Sequence, residues 1–170
     1  MLELGLRVAD GIITHGITDK YVRYVRSQVN ARGRVNFDFV VSSPSCITSE
    51  RDAAVKALAP ECLLLAGGDY FDGWISLYDL DPTQVESLRG AVKAGDPNAA
   101  SLVTRRMVDS FSIFGTEGEV TERLRLLERL GVTQVSVSVP NRLVENHEIC
   151  QATEMIRRFR PVIESLSDPE

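Results

Sequence analysis

Few side chains in this sequence can do covalent or metal chemistry, and their spacing limits what that chemistry is. His15 and His147 are the only imidazoles, and Cys46, Cys62 and Cys150 the only thiols, in 170 residues. They are widely spaced, with no CxxC pair, and so supply no zinc-type ligand set. No G-x-S-x-G elbow accompanies the histidines, so a serine-hydrolase triad is not supported. Gly67-Gly68-Asp69 lacks both the dinucleotide and the P-loop glycine spacing. Gly115-Thr116-Glu117-Gly118-Glu119 has two readings: free N–H groups at a helix start that suit an anion, or a capping box that uses those groups itself. Cys46 has nothing beside it in sequence to activate a thiolate and reads as unreactive.

The bulk composition excludes several classes of partner. Nineteen Lys and Arg stand against 24 Asp and Glu, a formal net charge of −5. That acidic balance argues against nucleic acid, which selects a basic face. Arg105-Arg106 and the group Arg157, Arg158 and Arg160 read as solvated helix faces. No apolar run reaches the roughly 18–20 residues that span a bilayer, and Met1-Leu2-Glu3-Leu4 lacks a signal peptide's basic start. We therefore expect a cytoplasmic protein with reduced thiols and no membrane partner.

The elements that must position any site are legible from periodicity. Leu2 to Ala9 is a short apolar stretch. Ile12-Ile13-Thr14, bounded by Gly11 and Gly16, reads as a buried strand. Thr18 caps a helix with Tyr21, Val22, Val25 and Val29 on one face, and Gly33 ends it. Residues 35–43 read as a second strand that stops before Pro44. Ser49 is the expected cap of a helix from Glu50 to Ala66, with Pro60 expected to kink or break it. Residues 69–81 hold four of the eleven aromatics, Tyr70, Phe71, Trp74 and Tyr78. That density marks either a functional contact loop or a loop pinned to its own core.

Further along, Asp81-Pro82-Thr83-Gln84 starts a helix to about Val92. Asp96-Pro97 starts another, to about Ser110. The Thr116 capping box opens a helix striped by Leu124, Leu127 and Leu130 and closed by Gly131. Residues 132–139 alternate Val with polar residues and read as a third strand, and a last helix spans about 145–166. Strands alternating with helices imply an α/β fold with parallel strands and right-handed crossovers.

Several segments, in this order, resemble one family. Leu2-Glu3-Leu4 with Val8-Ala9-Asp10-Gly11-Ile12-Ile13 is similar to the LELAG–IADGVI segment of the luciferase-like superfamily. Met107-Val108-Asp109-Ser110-Phe111-Ser112-Ile113-Phe114-Gly115-Thr116 is similar to its MVDAFAIAGT segment. Gly131 to Val135 is similar to the start of its last strand. Within the superfamily the likeness is greatest to deazaflavin-dependent reductases of the methylenetetrahydromethanopterin type, and then to flavin monooxygenases.

The resemblance implies a (β/α) barrel, of which this chain is a partial barrel holding about the last three strands. Residues 1–170 would form a single domain at the C-terminal part of the barrel, with 49–110 as a helical insertion. It implies coenzyme F420, a deazaflavin, or FMN as cofactor. It also implies that the first five strands, with much of the phosphate site and the better-known catalytic groups, lie outside this sequence. An open parallel sheet leaves unpaired backbone and apolar faces at both edges. A second chain supplying the missing strands, a homo-oligomer or a rearranged sheet would have to cover them.

In barrels of this kind, function gathers at the C-terminal ends of the strands. That selects Thr14, His15 and Gly16; Ser42, Ser43 and Ser45; and Pro140, Asn141 and Arg142. His15 can hydrogen-bond a cofactor ring or donate a proton. Ser42 and Ser43 can bind a ring oxygen or phosphate, or simply close a turn. The expected cofactor-binding set is thus Thr14, His15, Ser42, Ser43 and Asn141, with the catalytic groups unassigned and no metal. Two functions follow. One is part of an oxidoreductase that transfers hydride between a small-molecule substrate and the cofactor. The other is a non-catalytic remnant that binds a ligand or a protein.

Overall fold

The computed structural model describes residues 2–68, 75–138 and 149–167. Helix α1 (Leu2–Val8) leads into strand β1 (Gly11–Thr14). Leu6 of α1 is buried with Val29 and Phe37, and Leu2 and Ile12 pack against them. Helix α2 (Asp19–Ala31) begins where the Thr18 hydroxyl accepts from the Tyr21 N–H, and it buries the four residues expected from its periodicity. Gly33 takes a φ of +64°, which reverses the chain after the helix.

Strand β2 (Asp38–Ile47) runs through Pro44 rather than stopping before it. The proline marks a change of neighbour. Residues 40–44 pair with strand β4 (Gln134–Ser138), and residues 45–47 pair with strand β3 (Ile113–Gly115). A residue without an N–H is tolerated where one ladder ends and another begins. Strand β3 was not expected. Three residues carry too little alternation to register as a strand, and they adjoin a stronger capping signal.

Between β2 and β3 the described elements are all helical. Helix α3 (Arg51–Gly67) passes through Pro60 unbroken, and its cap position is Glu50 rather than Ser49. The Thr48 hydroxyl accepts from the Glu50 N–H instead. Helix α4 (Pro82–Lys93) starts on Asp81, whose carboxylate accepts from Thr83 and Gln84. The single helix expected from Asp96 to Ser110 is two pieces, a 3-10 turn at Ala99–Leu102 and helix α5 (Arg105–Phe111). Thr104 caps α5 by accepting from Met107 N–H, after Val103 has gone extended. Helix α6 (Glu117–Arg129) and helix α7 (Ile149–Ser167) complete the chain.

All pairings are parallel. Val40 and Val41 each pair with β1 on one side and β4 on the other, so β2 is central to these three strands. The fold is α/β with an open parallel sheet of four strands. Registered partners share a face, which separates the sheet into two surfaces. Ile12, Phe39, Val41 and Val135 face the core that includes Val22, Val25, Leu127, Phe159 and Val162. Ile13, Val40, Ser42, Gln134 and Ser136 share the opposite face, where each is exposed or half-buried. Ile13 is 70% exposed there.

Candidate functional site

The open sheet face and its C-terminal rim hold the groups free to meet a ligand. His15 follows β1 directly, and its Nδ1 lies 3.2 Å from the Ser42 carbonyl oxygen. A carbonyl only accepts, so Nδ1 carries the proton of that bond. In the neutral ring, Nε2 is then an acceptor directed away from β2. The Ser42 side chain stands on the same face as Val40, midway along β2 rather than at its end. Ser136 registers with Ser42, and Gln134 with Val40. Around two aliphatic side chains the face thus offers an imidazole, two hydroxyls and an amide.

The other expected site residues turn inward or fall elsewhere. Ser43 is fully buried and gives its hydroxyl to the carbonyls of Phe111 and Pro44. Ser45, also buried, donates to the Ser43 carbonyl. Thr14 shares its face with Val41, on the core side. Its hydroxyl is buried there and makes no hydrogen bond among the described residues. Asn141, with Pro140 and Arg142, lies outside the described residues.

Tyr78 pins its segment to the core, one of the two readings that the aromatic density offered. It stacks on Tyr21 with centroids 4.9 Å apart and lies 5.0 Å from the Phe111 ring. Burial raises the pKa of both phenols above the ordinary tyrosine value. Gly16 is the residue that lets them close. A Cβ there would sit 2.4 Å from Tyr78 Cε1 and 2.7 Å from Tyr21 Cδ1. The loop carrying His15 is bound to the same segment by polar contacts. Thr18 Oγ1 donates to the Leu77 carbonyl, Lys20 pairs with Asp79, and the Ile17 N–H donates to Ser110. The helical elements between β2 and β3 therefore hold the His15 loop in place. The only signal for this was the aromatic density around Tyr78; Tyr70, Phe71 and Trp74 lie outside the described residues.

The possible anion site at Gly115-Thr116 is self-satisfied. Glu119 Oε2 accepts from the Thr116 N–H at 2.8 Å, and Thr116 Oγ1 accepts from the Glu119 N–H. Arg51 pairs with the same carboxylate. The Thr116 backbone N–H, the Thr116 hydroxyl and then Arg51 hold the Glu119 carboxyl below its usual pKa. An anion would displace a charge already in place. Cys62 is equally committed: its sulfur lies 3.1 Å from Ser112 Oγ, and burial pushes the thiol up to about 11. Among the described residues, no group of His, Cys, Asp and Glu could hold a metal ion. No described helix is long and apolar enough to cross a membrane.

One cleft is on the helix-covered side. It measures about 620 Å³ and runs between β4, α6 and α7, lined by Leu124, Val135, Ile156, Phe159 and Ile163 among others. It does not include the His15 rim.

Comparison with known proteins places this geometry. A model of the luciferase-like monooxygenase family matches residues 1–134. The chain belongs to that family. Among curated luciferase-like relatives, the 5,10-methylenetetrahydromethanopterin reductase of Methanolobus tindarius is 29% identical over 149 residues, and that of Archaeoglobus fulgidus 28% over 151. Each alignment covers 82% of this chain and 45% of the relative. The coenzyme F420-dependent tetrahydromethanopterin reductase of Methanopyrus kandleri superposes with a TM-score of 0.68 at 24% identity. It matches 82% of this chain and 42% of that one. The chain thus spans under half the length of the relatives it matches, and the structural likeness is one of fold.

Proposed function

We propose that this chain is part of a deazaflavin- or flavin-dependent oxidoreductase, corresponding to the C-terminal strands of a (β/α) barrel, and that it walls one side of the cofactor-ring pocket. The observation that carries this reading is the open sheet face: Ile13 and Val40 flanked by Ser42, Ser136 and Gln134, with His15 at the rim. Membership of the luciferase-like family and the relatives named above support it.

The residues fit a flat ring and not its phosphate. Aliphatic side chains suit a ring face, and hydroxyl, amide and imidazole groups suit its polar edge. No basic side chain stands on the registered open face, and the Gly115-Thr116 turn is already filled by Glu119. When bound, the ring supplies the hydride chemistry, accepting or giving hydride at a substrate carbon. His15 Nε2 would accept a hydrogen bond from the ring edge, Ser42 and Ser136 would bond its oxygens, and Ile13 and Val40 would exclude water from one face. The phosphate contacts and remaining catalytic groups would come from the part of the barrel outside this sequence.

Fluorescence titration with coenzyme F420 and with FMN, each against wild type and His15→Ala, tests the reading. Saturable binding of one of them, weakened by His15→Ala, is expected. Binding of neither would leave a protein-association module as the function.

A further inference from the structure

We propose that Arg123 of α6 is a positioning residue for His15, holding the loop after β1 so that the imidazole stays on the Ser42 carbonyl. The inference rests on the preceding reading only for what His15 meets; the positioning itself is independent of any cofactor. β1 ends at Thr14 and α2 starts at Asp19, so residues 15–17 belong to neither element. A side chain beyond the end of a strand keeps its aim only when the chain that carries it is held by packing and hydrogen bonds.

Ile17 is where the loop is held. Its side chain is buried, and both of its backbone polar groups are taken. The N–H donates to the Ser110 carbonyl at 3.0 Å, and the carbonyl accepts from Arg123 Nη2. Ser110 is fixed in turn, because its buried hydroxyl donates to the carbonyls of Arg106 and Tyr78. The chain two residues past His15 is thus gripped from α5 on one side and from α6 on the other.

The α6 grip is the more exact of the two. Arg123 Nη1 donates to Asp19 Oδ1 at 2.7 Å, so one guanidinium spans Ile17 and Asp19, the residues on either side of the Thr18 cap. A planar fork of donors sets the separation of its two acceptors, which the single ammonium of a lysine does not. The side chain is 26% exposed, and it starts from a helix that is itself locked by the Thr116 capping box and by the burial of Val120, Leu124 and Leu127. The polar side-chain contacts of Thr18 and Lys20 act farther along the chain from His15. If Arg123 only tied α6 to α2, its loss would lower stability and leave the imidazole where it is. As a positioning residue it controls which ring nitrogen carries the proton, because the Nδ1 bond to Ser42 selects the tautomer.

Multiple-bond 15N–1H correlation NMR of the cofactor-free chain tests this, read at about pH 8.5, where an ordinary imidazole is neutral. His15 and His147 are the only imidazoles, so His15→Ala assigns the spectrum. Wild type should carry the His15 proton on Nδ1. Arg123→Gln should lose that preference and show a mixture of both tautomers, with the fold kept by circular dichroism. Arg123→Lys, which can meet only one of the two acceptors, should lose part of it. Arg125→Gln, on the same helix but tied to Glu122 and the Ser165 carbonyl, should keep it. An unchanged tautomer in both folded Arg123 variants overturns the proposal, and so does an equal loss in Arg125→Gln. Unfolding of both Arg123 variants overturns it too, by making Arg123 an anchor of the fold. A wild-type ring protonated on Nε2 overturns it at the start. None of these outcomes bears on cofactor binding, which the titration reads separately.

Discussion

His15 Nδ1 donates to the carbonyl oxygen of Ser42 across 3.2 Å, tying the residue after β1 to the middle of β2. The bond fixes the tautomer and leaves Nε2 as the acceptor at the rim of the open face. One contact thus aims the imidazole and brings it onto the face that holds the Ser42 hydroxyl.

If that aim matters for binding, His15→Ala should weaken cofactor affinity by about tenfold, the loss of one good hydrogen bond. Ser43→Ala should leave affinity unchanged, because its hydroxyl is spent on Phe111 and Pro44 inside the fold. Equal losses from the two substitutions in a binding titration would contradict the assignment.

Gly16→Ala should destabilise the fold by about 1–3 kcal/mol, because the new methyl must push against both tyrosine rings. Urea denaturation measures this. Since the same loop carries His15, cofactor affinity should fall with it, whereas Gly90→Ala, inside α4 with open space around it, should leave affinity unchanged and stabilise the fold slightly.

The Cys62 thiol should resist alkylation in the native protein at about pH 8 while reacting freely once unfolded. Its native ionisation, pushed up to about 11, lies above the ordinary 9.0. Burial of the neutral thiol therefore stabilises the fold fully below pH 9.0, and the benefit is lost as pH rises toward about 11. Alkaline denaturation profiles should show a smaller loss across that window for Cys62→Ala.

At the start of α6 the sign reverses. Glu119 is held below 4.5, so its contribution is present above that pH and disappears as pH falls through the native value. Thermal melts from neutral to acidic pH should show a flatter acid limb for Glu119→Gln. Thr116→Ala removes the other half of the capping box and should cost about 1 kcal/mol at neutral pH.

Where local physics decides, the sequence was easy to read. Thr18, Asp81 and Thr116 cap the helices expected of them, because a capping side chain bonds within three residues of itself. The face of α2 and the alternation of β4 were equally clear. Elements set by distant partners were not. β2 continues past Pro44 because β3 waits for it there, and Ser49 loses its capping role to the Thr48 hydroxyl. In the candidate site, His15 and Ser42 come together, but Ser42 stands midway along β2 and not at the strand end from which it was chosen. Ser43 and Thr14, one residue away from each, point into the core, because side chains alternate along a strand and only one parity reaches the open face. Tyr78 was named for the aromatic density around it, but its partner was hidden by distance: it packs onto Tyr21 from 57 positions away, in a segment without periodicity.

Native mass spectrometry of the purified chain, after separate incubation with coenzyme F420 and with FMN, tests the central claim most directly. The account predicts that the chain retains a stoichiometric amount of one of them, with retention lost on His15→Ala. A chain that stays ligand-free with both, whether alone or assembled, would contradict the claim that this sheet face walls a cofactor pocket.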